Sequence, residues 1–430
     1  MVGARVEDRA AQHPTRPLAL THTNTFLLRV PITVNPMEMD EWRGIERGTA
    51  EFRRTVVAML SAGFATFALL YCVQPLLPEF AHDFRIGAAN ATLALSLTTG
   101  FMGVAMLGLS VLSETRGRRP LMIASMLFAA ALTVASAFVR SWPVFLLFRA
   151  LIGIGFAGLP ALAMAYLGEE MHLGALAVAM GLYVGGTGIG GMTGRLLTAF
   201  LTDLVSWRFA VVAIGVLGIL AALVFWRLLP PSRKFVAADA ALTRWSGFVE
   251  HLRDATMLRL YAAGFAVLGV LVVLYNDVTF RLMGAPYHLS QSAVGLIFLL
   301  YLAGVGSSGW TGHLLAHVRR VTLLRAALVV IILGAVVTLA TTLAVILLGM
   351  ALVTIGFFVA HAVASGWVTM HARRGRAQAT ALYLFFYYLG SSIAGWAGGL
   401  SWQVAGWLGA VALMVGLTCA ALLLTWRMVV

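Results

Sequence analysis

Arg149 stands inside the apolar run FRALIGIGFAG, residues 148–158. A charged side chain at membrane depth costs at least ~2.5 kcal/mol, so such a residue normally faces a cavity or a partner and carries function. The other reading is a guanidinium that reaches back to the headgroups from the end of its run. His361, in GFFVAHAVASGW (residues 356–367), brings an imidazole that titrates near neutrality and can take up and release a proton. It can equally be a neutral ring hydrogen-bonded between helices. Asp277 either joins these two in proton coupling or pairs with Arg281 one turn along the same helix. Gln74, Asn276, Tyr383, Tyr387 and Tyr388 supply amides and phenols able to line a path for a solute. Tyr387 and Tyr388 fall in mid-run, which favours a cavity face for one of them. A nucleophile with its base, a metal cluster or paired carboxylates at reactive spacing are not found, which argues against an enzyme. Cys72 and Cys419 both lie in apolar segments, so neither a disulfide framework nor a metal site is expected, and no cofactor.

Two further groups bear on motion rather than on binding. In SVLSETRGRRP, residues 110–120, Glu114 sits beside Gly117, Arg118 and Arg119. A carboxylate next to an Arg pair at helix ends can lock neighbouring helices by charge-assisted bonds and release them later. A plain basic loop is the simpler reading. In LYVGGTGIGGMTGRLL, residues 182–197, glycines crowd one helix. In lipid they permit close backbone contact and bending, the role expected of Gly186, Gly190, Gly194 and Gly390. With no strand before them they do not form a dinucleotide loop.

The elements that hold these residues follow from composition. The chain has 430 residues, 60% of them hydrophobic and 11% charged. Its mean hydropathy is +0.91. That is too apolar for a water-soluble domain, so the solvent is lipid. The net charge of +13 lies in short clusters between apolar stretches and makes no nucleic-acid-binding face. A helix needs about 20 apolar residues to cross a bilayer. Twelve spans result, near 55–78, 89–113, 120–139, 143–168, 174–201, 208–229, 256–283, 290–315, 321–340, 343–370, 376–402 and 405–427. The expected domains are a largely disordered cytoplasmic extension (1–54), a six-helix bundle (55–229), a cytoplasmic linker (230–255) and a second six-helix bundle (256–430). Loops on the side of the termini hold thirteen basic residues: Arg116, Arg118, Arg119, Arg233, Lys234, Arg244, Arg253, Arg259, Arg319, Arg320, Arg373, Arg374 and Arg376. The opposite loops hold four, Arg85, Arg140, Arg208 and Arg281, which places both termini in the cytoplasm.

The two bundles are related. At an offset of 201, Ala62-Gly63-Phe64-Ala65 recurs as Ala263-Gly264-Phe265-Ala266, and at 200, Gly190 and Trp207 recur as Gly390 and Trp407. Parallel six-span repeats imply a pseudo-twofold axis along the membrane normal, with a substrate path between the halves. The shared residues are mostly packing ones: Arg149 falls opposite Met350, and His361 opposite Pro160. The scaffold is expected to be symmetric and its chemistry not, with the charged switch in the first half and His361 with an aromatic wall in the second.

The loop at 110–120 resembles the signature of the major facilitator superfamily, Gly-x-x-x-Asp-Arg-x-Gly-Arg-Arg. Glu114 takes the Asp place and Gly117, Arg118 and Arg119 match, while Ser110 and Thr115 replace the first Gly and Arg. Arg149 with Gly153 is similar to the Arg-x-x-x-Gly motif associated with proton-coupled exporters, with Ile152 where Gln is common. The strings FATFALLYCVQPLLPEF (64–80), YNDVTFRLMGAPYHLSQSAVGLIFLLYLAG (275–304) and LYLFFYYLGSS (382–392) narrow the resemblance to YnfM-type inner-membrane transporters, except at Asp277, where an aromatic residue is expected. The resemblance implies an all-α membrane protein of twelve helices in two six-helix bundles. It implies a monomeric inner-membrane transporter that works by alternating access and exports small organic or drug-like compounds in exchange for protons. Sugar efflux is the alternative, and a channel or a membrane-embedded enzyme are the remaining ones.

Overall fold

The computed structural model describes residues 44–233, 245–372 and 374–428. Most of the expected extension and residues 234–244 of the linker lie outside the described residues, as does the side chain of Glu114. Among the described residues eleven helical stretches are long and apolar enough to cross a membrane. Spans one to six are Ala50–Asp83, Ala88–Leu109, Arg118–Ser136, Trp142–Glu170, Leu173–Leu204 and Trp207–Leu228. Spans seven to ten are Ala255–Met283, Gln291–Leu314, Arg320–Val337 and Leu343–His371. The last stretch is the helix Arg376–Trp426, interrupted at Ala405 (φ −135°) and Gly406 (φ 58°, ψ −145°), a conformation that a Cβ resists. Its two arms, 376–404 and 407–426, are spans eleven and twelve. All-helical architecture is what lipid demands, because only a helix or a closed barrel satisfies its own backbone there. Span one begins at Ala50, inside the stretch expected to be extension.

Three spans are interrupted along their length, and two of the interruptions position Gln74 and Tyr301. Span one gives way to a 3-10 turn at Gln74–Leu76, where Pro75 has no N–H to continue the ladder. Span four is split between Phe156 and Leu159, ahead of Pro160. Span eight passes through a 3-10 segment, Ile297–Leu300, before resuming at Tyr301.

The internal repeat is visible in atomic detail. Gly186, Gly190 and Gly194 recur every four residues, so they form one ridge of span five. Methyl groups built there would lie 2.6, 2.1 and 2.5 Å from the carbonyl oxygens of Leu60, Phe64 and Ala68 on span one. In the second half a methyl at Gly390 of span eleven would lie 2.0 Å from Phe265 O on span seven. The same glycine thus brings the same pair of backbones together in each half.

The side bearing the termini is tied by short polar contacts. Ile45 N donates to Glu170 O (2.8 Å) and His172 N to Ile45 O (3.1 Å). Arg119 donates to Leu229 O (2.9 Å) and Trp226 O (3.0 Å), capping the carbonyl end of span six where a cation is favoured. Arg118 makes a two-pronged pair with Glu169 at the end of span four, Nε to Oε2 at 2.7 Å. Both partners belong to the first half, so the contacts of this Arg pair bind loops within one bundle.

At the start of span seven, Asp254 Oδ1 accepts from Thr256 N (2.7 Å) and Met257 N (3.0 Å), and its Oδ2 meets His371 Nε2 (2.9 Å) at the end of span ten. Partial burial pushes this carboxyl up, but the N–H groups and the His371 ring outweigh it and hold it below its ordinary value. A depressed carboxylate stabilises the fold above about pH 4 and ceases to do so as pH falls through the lowered value. Asp254→Ala should therefore lower the thermal midpoint by about 1–2 °C at neutral pH. Parallel melts of the two proteins should show that gap narrowing on acidification.

Candidate functional site

The two halves meet along spans two and eleven and along spans five and eight. On the side away from the termini they are sealed. Ser292 N donates to Asp203 Oδ2 (2.7 Å), and Gln291 Nε2 donates to Pro75 O. A methyl at Gly295 would lie 2.6 Å from Ala199 Cβ, and one at Gly399 2.7 Å from Ala89 Cα. Half-way across, Ser391 Oγ donates to Thr99 Oγ1 at 3.2 Å. A methyl at Gly188 would be 3.8 Å from Val305. Beyond that level spans two and eleven stay in contact for a further turn, a methyl at Gly103 lying 3.3 Å from Tyr388 Cβ, while spans five and eight part. Gly181 and Gly185 on span five, and Gly309 and Gly312 on span eight, continue the faces that meet at Gly188 and Val305 by helical spacing. Nothing lies within 4 Å of a methyl at any of the four. The space between the halves is therefore open toward the termini and closed on the opposite side.

At the closed end lies a polar chain that joins the halves. Arg195 of span five is 2% exposed. Its Nε donates to Gln74 Oε1 (2.7 Å), its Nη1 to Gly191 O (2.8 Å) and its Nη2 to Tyr301 OH (3.4 Å). Gln74 Nε2 in turn donates to Asn276 Oδ1 at 2.9 Å. The break in span one turns Gln74 toward Arg195, and the break in span eight brings Tyr301 to the same point. The guanidinium carbon sits 4.0 Å from the ring centre of Tyr71, 4.7 Å from Tyr301 and 5.1 Å from Phe298, distances at which ring faces attract a cation.

From Tyr301 an aromatic wall runs along the second half. Tyr301 packs on Tyr275 (4.9 Å) and on Phe358 (6.0 Å), and Phe358 on Phe357 (5.1 Å). Phe357 stacks on His361 (5.9 Å), which also lies 4.6 Å from Tyr387. His361 Nδ1 and Tyr383 OH are hydrogen-bonded at 2.9 Å. His361, Tyr301 and Tyr387 are half-buried, whereas Tyr383 and Tyr388 are buried. Of the two mid-span tyrosines, Tyr387 is thus the less buried. Tyr388 packs behind, its Cβ 3.3 Å from a methyl built at Gly103 of span two.

Arg149 is 0% exposed, which removes the headgroup reading. Its Nη2 donates to Leu70 O (3.0 Å), among the last carbonyls before span one breaks, and its Nε to Ala94 O (2.9 Å) on span two. It fastens spans one, two and four together within the first half, and its Nη1 has no partner among the described residues. Asp277 does not pair with Arg281. That arginine reaches the loop after span nine instead, donating to Thr338 O and to Ala340 O (2.6 Å). The Asp277 carboxyl is buried with both oxygens unpartnered among the described residues, and Oδ2 faces Gly398 of span eleven. Arg149, His361 and Asp277 share no hydrogen-bond partner. Gln74 and Asn276 meet across the interface between the halves, and Tyr388 packs against span two there, whereas Tyr383 and Tyr387 contact His361 and each other within the second half.

Arg195 was the residue to find by sequence. It is a charge in the middle of a 32-residue apolar helix, the same signal that marks Arg149. The glycines around it draw attention to packing instead. Nor is the aromatic wall confined to the second half, since Tyr71 of span one faces Arg195.

Twelve crossing segments among the described residues, in two like halves with the space between them closed on one side, define a membrane transporter rather than an enzyme. Residues 59–395 match the Major Facilitator Superfamily, and the chain belongs to that family. It is 42% identical over 382 residues to the uncharacterized MFS-type transporter YybF of Bacillus subtilis, covering 89% of this chain and 95% of that one. It is 42% identical over 360 residues to the inner membrane transport protein YnfM of Escherichia coli, covering 84% of this chain and 86% of the other. A crystal structure of a mutant of the nucleoside transporter NupG superposes with a TM-score of 0.71 at 13% identity, covering 86% of this chain and 99% of that one.

Proposed function

We propose that this transporter works by alternating access and exports small organic, drug-like compounds in exchange for protons, as a monomer in the inner membrane with both termini in the cytoplasm. The observation that carries the reading is the chamber. It is walled by Tyr301, Phe358, His361 and Tyr387, sealed at one end and open at the other. Thirteen basic residues in the loops on the open side against four opposite favour a cytoplasmic opening, the side from which an exporter loads. The YnfM relative supports the inner membrane. An aromatic wall suits flat, apolar solutes. A sugar would want free amides, and here Gln74 is spent on Arg195 and Asn276.

His361 and Asp277 supply the proton groups. The imidazole stands on the chamber wall within reach of a solute. Asp277, whose oxygens have no partner among the described residues, is a buried acceptor beside the sealed end. The test is flux in proteoliposomes carrying an imposed pH gradient, using labelled amphipathic compounds of each charge type. Uphill movement should collapse with a protonophore, and His361→Ala or Asp277→Asn should cut it by about tenfold or more. The reading fails if no compound responds to the gradient, or if both variants move solute as wild type does.

A further inference from the structure

We propose that the solute is an organic anion, and that Arg195 receives its carboxylate while the surrounding rings take its apolar body; this rests on the transport reading above. The guanidinium has five N–H donors. Three are directed at Gln74, Gly191 and Tyr301, which leaves two unspent. Every one of those partners is neutral. Among the described residues no carboxylate is in ion-pair contact with Arg195. Asp203 is engaged by Ser292 N, and Asp277 faces Gly398.

The donor excess continues along the chain. Gln74 accepts from Arg195 and must therefore turn its amide nitrogen to Asn276 Oδ1, so Asn276 Nδ2 is left without an acceptor among the described residues. A line of three side chains linking the halves thus begins with a permanent cation and ends with an open donor. Burying a charge on neutral partners alone is costly unless a counter-charge completes it. Ring faces offset part of that cost, and they select what brings the rest. A carboxylate attached to a flat apolar group satisfies the guanidinium bidentately and lies against Tyr71 and Tyr301.

Access is provided by Tyr301, half-buried at the head of the aromatic wall, whose bond to Arg195 is the longest of the three at 3.4 Å. A carboxylate that takes this donor displaces a contact between span five and span eight. Binding would in this way loosen the sealed end as it fills the site.

The experiment uses purified full-length protein in detergent, with 2-naphthoate, benzoate and indole-3-acetate as probes and their uncharged amides and cationic methylammonium counterparts as matched controls. Thermal stabilisation is measured against probe concentration. The carboxylates should act at about tenfold lower concentration than their amides, a difference of the size expected for one charge-assisted bond, and the cations should act least. Arg195→Gln should abolish the preference, so that each acid and its amide act at the same concentration. Should that variant fail to fold, Arg195→Lys keeps the charge without the fork and should retain a reduced preference. Equal action of acid and amide, preference for the cation, no response to any acid, or an undiminished preference in a folded Arg195→Gln would each overturn the proposal. Gradient-driven movement of neutral or cationic compounds alone would sink this inference and spare the transport reading. Carboxylate-selective binding without gradient-driven flux would do the reverse.

Discussion

Valine at Gly190 or at Gly390 should cost the cell its folded transporter, whereas valine at Gly181 or Gly185 should not. The first pair brings helices into backbone contact, where even a methyl would lie 2.1 Å from Phe64 O or 2.0 Å from Phe265 O. Real carbon and oxygen atoms do not approach so closely, and neither carbonyl is the loose end of a flexible side chain. The helices must part by more than an ångström, undoing the glycine ridge along its length. Overpacking a well-filled site costs about 1–3 kcal/mol where side chains can yield, and more where the obstacle is rigid backbone. In a membrane the loss is not recovered elsewhere, because helix association there depends on close packing rather than on expulsion of water. The expected result is disappearance of the monodisperse peak in size-exclusion chromatography, or a fall of about 10 °C or more in the melting midpoint of what remains. The other pair has open space around it and serves as the control. Indistinguishable profiles for the two pairs would show that the crossing is not where Gly190 and Gly390 place it.

Joining the sealed end covalently should stop transport completely and reversibly. Asp203 and Ser292 belong to different halves, and both are reachable by solvent. Cysteines at these two positions, with Cys72 and Cys419 replaced by alanine, should be bridged by a short bis-methanethiosulfonate, which forms a disulfide with each thiol and releases sulfinate. If the halves must separate there to release solute, flux falls to background on bridging and returns on reduction. A folded, fully bridged protein that transports at the wild-type rate would contradict alternating access in this chain. The single cysteine variants guard against a trivial effect of the reagent.

The spans and the repeat were legible because both arise from local rules. Crossing a bilayer fixes the length of an apolar run, and duplication leaves Gly190 and Gly390 at one offset. The position of Arg149 inside its run pointed to burial for the same reason. What the sequence could not show was partnership. Asp277 and Arg281 are one turn apart, as a helical ion pair should be, yet Arg281 turns to Thr338 O and Ala340 O. Those carbonyls lie past the end of a helix, lack intrahelical donors and compete for a cation. The Arg pair of the 110–120 loop likewise finds Glu169 and the end of span six, which no spacing encodes. Arg195, Gln74 and Asn276 come from three spans that are far apart in the chain. Their meeting depends on the interruption at Pro75, which turns an ordinary crossing into a bend.

The bare glycine faces at the open end also describe a shape the molecule has yet to take. Gly181, Gly185, Gly309 and Gly312 are smooth surfaces facing emptiness, laid out along the same lines that grip tightly beyond Gly188 and Val305. On the alternating-access reading, they are the surfaces that would meet in the opposite closure. Valine there should leave the protein intact and slow the loaded stroke of an exporter, because the open end could not close behind a bound solute.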